Sequence, residues 1–359
     1  MKYLHALNKI EGVGSQKMKT LIAAFGTAEN AWRADLAALQ KVLGGDILPE
    51  RIFFEKKSLD PDAEWEKLEK AGIRTISYTD SNYPKLLKEI YNPPYLIYVR
   101  GELVFDELPA IAIVGSRKFS NYGEQLANTF ARDLACAGFT IVSGLALGID
   151  AISHKSALEI KGKTIAVLGS GIDNESIYPR ANFNLAQEII ATGGLVMSDY
   201  APGTPATALT FPARNRIIAG LALGTLVVEA GEKSGTLITA KMALESNREV
   251  FAIPGSIFSP TSIGTNSLIK SGAKIVTCVQ DILEEFDLSQ SQETKQTTLK
   301  LPENKEEEIL LKILCDIPLH IDNIAKQTNL TVPTISATLM MMEIKGWVKN
   351  LGGQNYILL

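Results

Sequence analysis

Short apolar runs rich in β-branched side chains recur through the middle of the chain: Ile111–Val114, Thr140–Val142, Thr164–Leu168, Leu195–Met197, Thr225–Val228 and Val250–Ile253. Between successive runs lies a stretch of helix length with an amphipathic pattern. A strand covered on both faces has no polar side to show, so it reads as a continuous apolar run rather than as an alternation. Strand-like runs separated by helix-length segments predict βαβ units. Residues 108–286 are therefore expected to form an α/β domain with a mostly parallel sheet and helices on both faces.

The flanks follow other rules. Residues 1–75 are helical in pattern, with Ala- and Leu-rich stretches broken at Gly26–Thr27 and Gly44–Gly45. Residues 76–107 carry Pro84, Pro93 and Pro94, which force extended or turn geometry and suit a lead-in that packs against the sheet. From 287 to 304 the chain turns to Ser, Gln, Thr and Lys, with nothing to bury periodically, and a flexible linker is predicted. Residues 305–359 predict a helix near Lys305–Cys315, a short one near Ile321–Thr328, a longer one near Val332–Lys345, and a hairpin around Gly352–Gly353. That succession is a winged helix-turn-helix pattern.

An apolar fraction of 46% is ample for a buried core. No apolar run reaches the roughly 18–20 residues that a membrane span needs, and Met1–Gly14 lacks the apolar core of a signal peptide. A cytoplasmic protein without membrane contact is expected. The three cysteines, Cys136, Cys278 and Cys315, form no CxxC or Cys/His cluster. They read as buried free thiols, with no metal site. The net charge of −4 argues mildly against a nucleic-acid partner, although a local cluster of charge matters more than the sum.

In an open α/β sheet, ligands bind beyond the carboxyl ends of the strands. After the first strand comes Gly115-Ser116-Arg117-Lys118-Phe119-Ser120, a strand–loop–helix sequence whose free amides suit an anion. It is not GxGxxG, and its third position is a guanidinium, fit for bidentate phosphate contact. The same residues also suit an ordinary tight turn with a solvated arginine. After the second strand, Gly144 and Gly148 allow close backbone approach. Asp150 and His154, one helical turn apart, are placed to hydrogen-bond, in a structural or capping role rather than as metal ligands.

The loop after the third strand starts at Gly169 and reaches Tyr178-Pro179-Arg180-Ala181-Asn182-Phe183. A cation and an amide among aromatic rings are what single-strand binding uses; the rings equally suit the core. Arg214, Asn215 and Arg216 follow Pro212 near a predicted helix start, where the dipole disfavours cations. An anionic ligand, solvation or pairing with Glu229 would each account for them. Ser234-Gly235-Thr236 supplies a second candidate anion cradle. Residues 111–255 hold twelve basic and twelve acidic side chains, so any positive field is local to these loops.

The succession Ile111-Ala-Ile-Val-Gly-Ser-Arg117, Ile141-Val-Ser-Gly-Leu-Ala146, Gly148-Ile-Asp-Ala151, Tyr178-Pro-Arg180, Phe211-Pro-Ala-Arg-Asn-Arg-Ile-Ile-Ala-Gly220, Ser234-Gly-Thr-Leu-Ile-Thr-Ala240 and Val250-Phe-Ala-Ile-Pro-Gly255 resembles the DprA/Smf family. The lead-in from Tyr83 to Gly101 resembles it too. The resemblance implies a Rossmann-like domain, an N-terminal SAM or helix-hairpin-helix-like domain, and a C-terminal winged helix. It implies a non-catalytic, cofactor-free protein that binds and protects single-stranded DNA, dimerises through the Rossmann-like domain, and loads the RecA recombinase in natural transformation. Arg117 and Arg180 are then the main DNA-contacting cations. In two places the sequence departs from the family pattern while keeping charge, with Asp199 for Glu and Arg180 for Lys. The winged helix, with five basic against seven acidic residues over 301–359 and Met340–Met342 on its third helix, is expected to serve protein contact or self-association rather than DNA reading.

The alternative is a Rossmann-like nucleotide phosphoribohydrolase with a PGGxGTxxE motif. Gly235-Thr236 mimics part of that signature, but the position of its catalytic Glu is Thr239, which cannot serve as a general acid or base near neutral pH. A winged-helix transcription regulator would leave the central domain without a purpose.

Overall fold

The computed structural model describes residues 1–45, 47–102, 105–106, 108–286, 304–314, 319–328, 330–345, 347–350 and 352–358. They fall into two compact units, 1–289 and 290–359.

The first unit opens with helices α1 (Lys2–Lys9), α2 (Ser15–Phe25), α3 (Ala28–Arg33), α4 (Leu36–Leu43), α5 (Ile47–Glu55) and α6 (Pro61–Lys70). Thr27 and Asp35 accept amide hydrogen bonds at the starts of α3 and α4, and Asp60 with Pro61 starts α6. The breaks at Gly26 and Gly44 fall where expected, both with positive φ. Then come β1 (Arg74–Ser77), α7 (Lys85–Lys88), β2 (Leu96–Gly101), β3 (Ala110–Val114), α8 (Asn121–Cys136), β4 (Thr140–Ser143), α9 (Ile149–Glu159) and β5 (Thr164–Val167). The unit continues through α10 (Phe183–Ala191), β6 (Leu195–Ser198), α11 (Thr210–Leu221), β7 (Gly224–Val227), α12 (Thr236–Glu245), β8 (Glu249–Ala252), α13 (Ile263–Lys270), β9 (Lys274–Ile275) and α14 (Gln280–Glu285).

All six expected strands are present. They belong to a nine-stranded sheet of order β1-β2-β6-β5-β4-β3-β7-β8-β9. Every pairing from β6 to β9 is parallel. Only β2 runs against its neighbours, antiparallel to both β1 and β6. The chain lays down β3, β4, β5 and β6 in one direction and then crosses to place β7 on the other side of β3. The topological switch point therefore lies between β3 and β7.

Alternation along the strands builds two core layers. Ala112 and Val114 face one side with Ile217 and Ile218 of α11 and Ala240 and Ala243 of α12. Ile111 and Ile113 face the other with Phe130 and Leu134 of α8 and Ile149 of α9. Farther along that side, Val196 and Ala166 meet α10 through Leu185 and Ile189 and the N-terminal helices through Leu4, Leu7 and Met18.

Three expectations need correction. The lead-in does not lie on the sheet but joins it: once past Pro94, Leu96–Val99 are fully apolar or aromatic and buried, and they pair as β2. The division at 75/76 runs through β1, because the N-terminal helices share a core with the sheet. Cys136 and Cys278 are exposed, the first closing α8 and the second in the turn that Asp281 caps before α14; Cys315 lies outside the described residues.

The second unit contains α15 (Lys305–Ile313), β10 (Leu319–His320), α16 (Ile321–Thr328), α17 (Val332–Ile344), β11 (Val348–Asn350) and β12 (Asn355–Leu358). Its three strands, ordered β10-β12-β11, close a core of Leu310, Ile321, Ile324, Ile335, Leu339 and Val348. This is the expected winged helix with one added short strand. Of the predicted linker, only Asn304, the N-cap of α15, lies within the described residues.

Candidate functional site

At the switch point the loops after β3 and β7, the start of α11 and the segment 206–208 enclose an open groove of about 900 Å3. Of the sequence-selected residues, Gly115, Ser116, Arg117, Lys118, Arg214, Asn215, Ser234, Gly235 and Thr236 line it. Sequences far apart in the chain meet here because parallel strands deliver all their carboxyl ends to one edge.

The exposed cations in the groove are Arg117, Lys118 and Lys233; Arg214, which also lines it, is buried. Among the described residues none has a carboxylate within ion-pair distance. Arg117 lies with its guanidinium carbon 5.4 Å from the Phe211 ring centre, and Phe211 is 5.8 Å from Tyr178, which is 52% exposed. A cation, a half-buried ring and an exposed ring thus stand in series. The single carboxylate lining the groove among the described residues, Asp150, is 6% exposed and turned inward.

The loop carrying Arg117 is held from below. Ser116 Oγ accepts the Lys118 amide at 3.0 Å and donates to the Lys118 carbonyl at 2.6 Å. The Ser116 carbonyl accepts the Ile149 amide at 3.3 Å, which ties this loop to the loop after β4. Gly148, at φ 86°, sits at that junction; a Cβ there would lie 2.4 Å from the Ser116 carbonyl oxygen. The second loop is gripped in turn by buried polar groups. Asp150 accepts the Gly144 and Ala146 amides at 3.1 and 3.4 Å. Asn182 donates to the Leu145 and Ala146 carbonyls at 2.9 and 3.2 Å.

Arg214 completes this scaffold. It is 4% exposed and donates to the Gly144 carbonyl at 2.8 Å and to the Val167 carbonyl, the ends of β4 and β5. Burial lowers its affinity for the proton, to about 10, with Asp150 opposing the shift. Burial likewise raises the Asp150 carboxyl, against the pull of Arg214. The expected Asp150–His154 contact is absent: His154 instead meets the Thr164 hydroxyl at 2.7 Å, because Asp150 turns back to its own loop amides.

The remaining candidates lie elsewhere. Arg216 pairs at 2.5 Å with Asp199 after β6, not with Glu229 and not in the groove. Glu229 accepts the Ser120 amide and hydroxyl at 2.9 and 2.6 Å, and Ser120 caps α8, so its hydroxyl is committed to structure. A Cβ on Gly169 would meet the Thr210 carbonyl at 3.1 Å, so this glycine serves packing. Arg180 is exposed beyond Tyr178, its guanidinium 4.2 Å over the Phe183 ring and bonded to the Asn174 carbonyl. Lys233 and Phe211 join the groove without being singled out by the sequence pattern. Lys233 stands beside Ser234 in the candidate anion cradle, and Phe211 lies at the start of the helix bearing Arg214.

Among the described residues no cluster of three or more metal-ligating side chains is found, and no helix is long and apolar enough to cross a membrane.

Comparisons place this geometry among known proteins. The sequence model described as DNA recombination-mediator protein A matches residues 74–287, and that of the DprA winged-helix domain matches 294–354. Protein Smf of Synechocystis is 37% identical over 391 aligned positions, covering 99% of this chain and 98% of that protein. The X-ray structure of DNA processing protein A from Streptococcus pneumoniae superposes with a TM-score of 0.69 at 38% identity, over 79% of this chain and 98% of that one. DNA processing protein A from Helicobacter pylori, whose structure is described in terms of its single-stranded DNA binding mode, superposes with a TM-score of 0.53 at 32% identity, over 60% of this chain and 95% of that one. With its central domain and its winged helix both matched, this chain belongs to the DNA recombination-mediator protein A (DprA/Smf) family.

Proposed function

We propose that the chain binds single-stranded DNA in the switch-point groove and acts without catalysing a reaction. The observation that carries this reading is the series Arg117–Phe211–Tyr178, flanked by Lys118 and Lys233, with no outward carboxylate in the groove lining among the described residues. Cations neutralise phosphates, and exposed rings stack on bases irrespective of sequence. In a duplex the base faces are already stacked on one another, so a ring-lined groove favours single strands. Arg180, on the rim beyond Tyr178, extends the cationic surface. Asp150, Asn182 and Arg214 hold the loops rather than the ligand. Ser120, Gly144 and Gly169 belong to that framework as well, and Arg216 stands apart with Asp199.

Nucleotide hydrolysis fits less well. Thr239, at the position of the phosphoribohydrolase Glu, is 2% exposed, and a hydroxyl cannot take the proton such chemistry requires. Membership of the family supports the finer reading: a cytoplasmic homodimer that protects incoming strands and passes them to the RecA recombinase, with the winged helix as a protein contact.

The test is a titration of the full chain with single- and double-stranded oligonucleotides at several salt concentrations. Tighter binding of single strands is expected, with log K falling steeply as log salt rises. Equal affinity for both forms, or affinity indifferent to salt, would overturn the proposal.

A further inference from the structure

Because β2 runs antiparallel to both β1 and β6, β1 points the same way as the parallel strands. Tyr78, the first residue past β1, therefore emerges at the sheet edge that carries the groove. Its ring gathers two ammonium groups, Lys88 Nζ at 5.0 Å and Lys19 Nζ at 5.8 Å from the centroid. Lys19 comes from the N-terminal helix α2 and Lys88 from α7, so two separate elements bring their charge to one ring. Both lysines are exposed, and among the described residues neither has a carboxylate within ion-pair distance.

The ring itself is fixed. It stacks on Tyr95 at 6.1 Å with 25° between planes and meets Tyr83 edge-on at 5.5 Å. An exposed cation–ring contact is weak, while two like charges held beside one ring repel each other. An anion at this point relieves that repulsion. Two carboxylates that follow strands at this edge are already engaged: Asp80 accepts the Ser77 amide, and Asp199 pairs with Arg216.

We propose that Tyr78, Lys19 and Lys88 form a second single-strand contact, reached by a strand that leaves the switch-point groove and follows the carboxyl edge of the sheet toward β1. The proposal rests on the groove being the primary site. From β3 to β1 the order is β3-β4-β5-β6-β2-β1, a path of about 24 Å at the usual spacing of adjacent strands. At the duplex rise of 3.4 Å per nucleotide that path takes about seven nucleotides, and fewer when the strand is stretched. The occupant is nucleic acid rather than an acidic protein segment because cation and ring recur together here as they do in the groove.

The experiment measures fluorescence anisotropy of the full chain with oligothymidines of about three and about twenty-five nucleotides, lengths that stay within the groove or span both sites. Lys19→Gln/Lys88→Gln, which removes two surface charges and no packing, is compared with Arg117→Ala. The double variant is expected to leave the short oligonucleotide unaffected and to weaken the long one about tenfold, with its salt slope shallower by roughly 1.4. Arg117→Ala is expected to weaken both. If the double variant binds the long oligonucleotide with unchanged affinity and slope, or loses the short one equally, the second contact is wrong. If Arg117→Ala leaves both unchanged, the primary reading fails instead.

Discussion

At the scale of single residues, the arginines divide by what their guanidinium groups touch. Arg117 touches a ring and solvent, so Arg117→Ala should weaken single-strand binding about tenfold, or roughly 1.4 kcal/mol, with an unchanged urea midpoint. Arg214 touches two strand-end carbonyls beside buried Asp150. Its removal strands that carboxylate, and Arg214→Ala should cost about 3–5 kcal/mol in urea unfolding. The sequence showed both as cations near predicted loops but not which of them would point inward, because burial is decided by residues from β4 and β5 that are distant in the chain.

His154 carries a pH prediction. Burial, helped by Arg214, holds it neutral, with its pKa lowered from 6.5 to about 3. Below pH 6.5 the unfolded chain takes up a proton that the native state refuses, so this group's effect on stability is nil above 6.5 and increasingly unfavourable down toward 3. The loss should reach about 2 kcal/mol at pH 5. His154→Gln should flatten that part of the stability–pH curve; a curve of unchanged slope would count against the assignment.

At the scale of elements, glycines separate packing from approach. Gly148→Ala drives a Cβ into the Ser116 carbonyl from a positive φ, and should lower both stability, by about 2 kcal/mol, and strand affinity. Gly235 has an ordinary φ of −59° and open space around it. Gly235→Ala should therefore leave thermal unfolding unaltered while weakening binding, because the added methyl occupies room needed by the DNA backbone. Equal binding by this variant would remove the α12 start from the site. The parallel strands were legible because each is an uninterrupted apolar run. β2 is masked in the sequence because Pro93 and Pro94 immediately precede it, and β9 and β10, at two residues each, are too short to leave a period.

At the scale of the whole molecule, the net charge of −4 misleads because affinity depends on the field at one edge. The acidic balance of residues 301–359 sits in the second unit, which has its own core. Proteolytic cleavage between 287 and 303 should release two folded fragments, and the larger should retain the single-strand affinity of the intact chain within about twofold, as the proposed protein-contact role of the winged helix requires. A large fall in affinity would assign DNA contacts to the winged helix. The order of domains was legible from composition. The merging of the N-terminal helices with the sheet was not, since His5 meeting the Tyr98 hydroxyl at 2.9 Å spans 93 positions of sequence.

The amide of Ile149 reaching the Ser116 carbonyl has a kinetic corollary. Two loops clasped in this way arrive at the encounter already in their bound shape, and little ordering entropy is spent on capture. Arrival should then proceed at a rate set by diffusion and the local field, without a lag and without saturation at high strand concentration. Substitutions of uncharged groove residues should be felt mainly as shorter residence of the strand, which stopped-flow dissociation measures directly, whereas loss of a groove cation should slow arrival too.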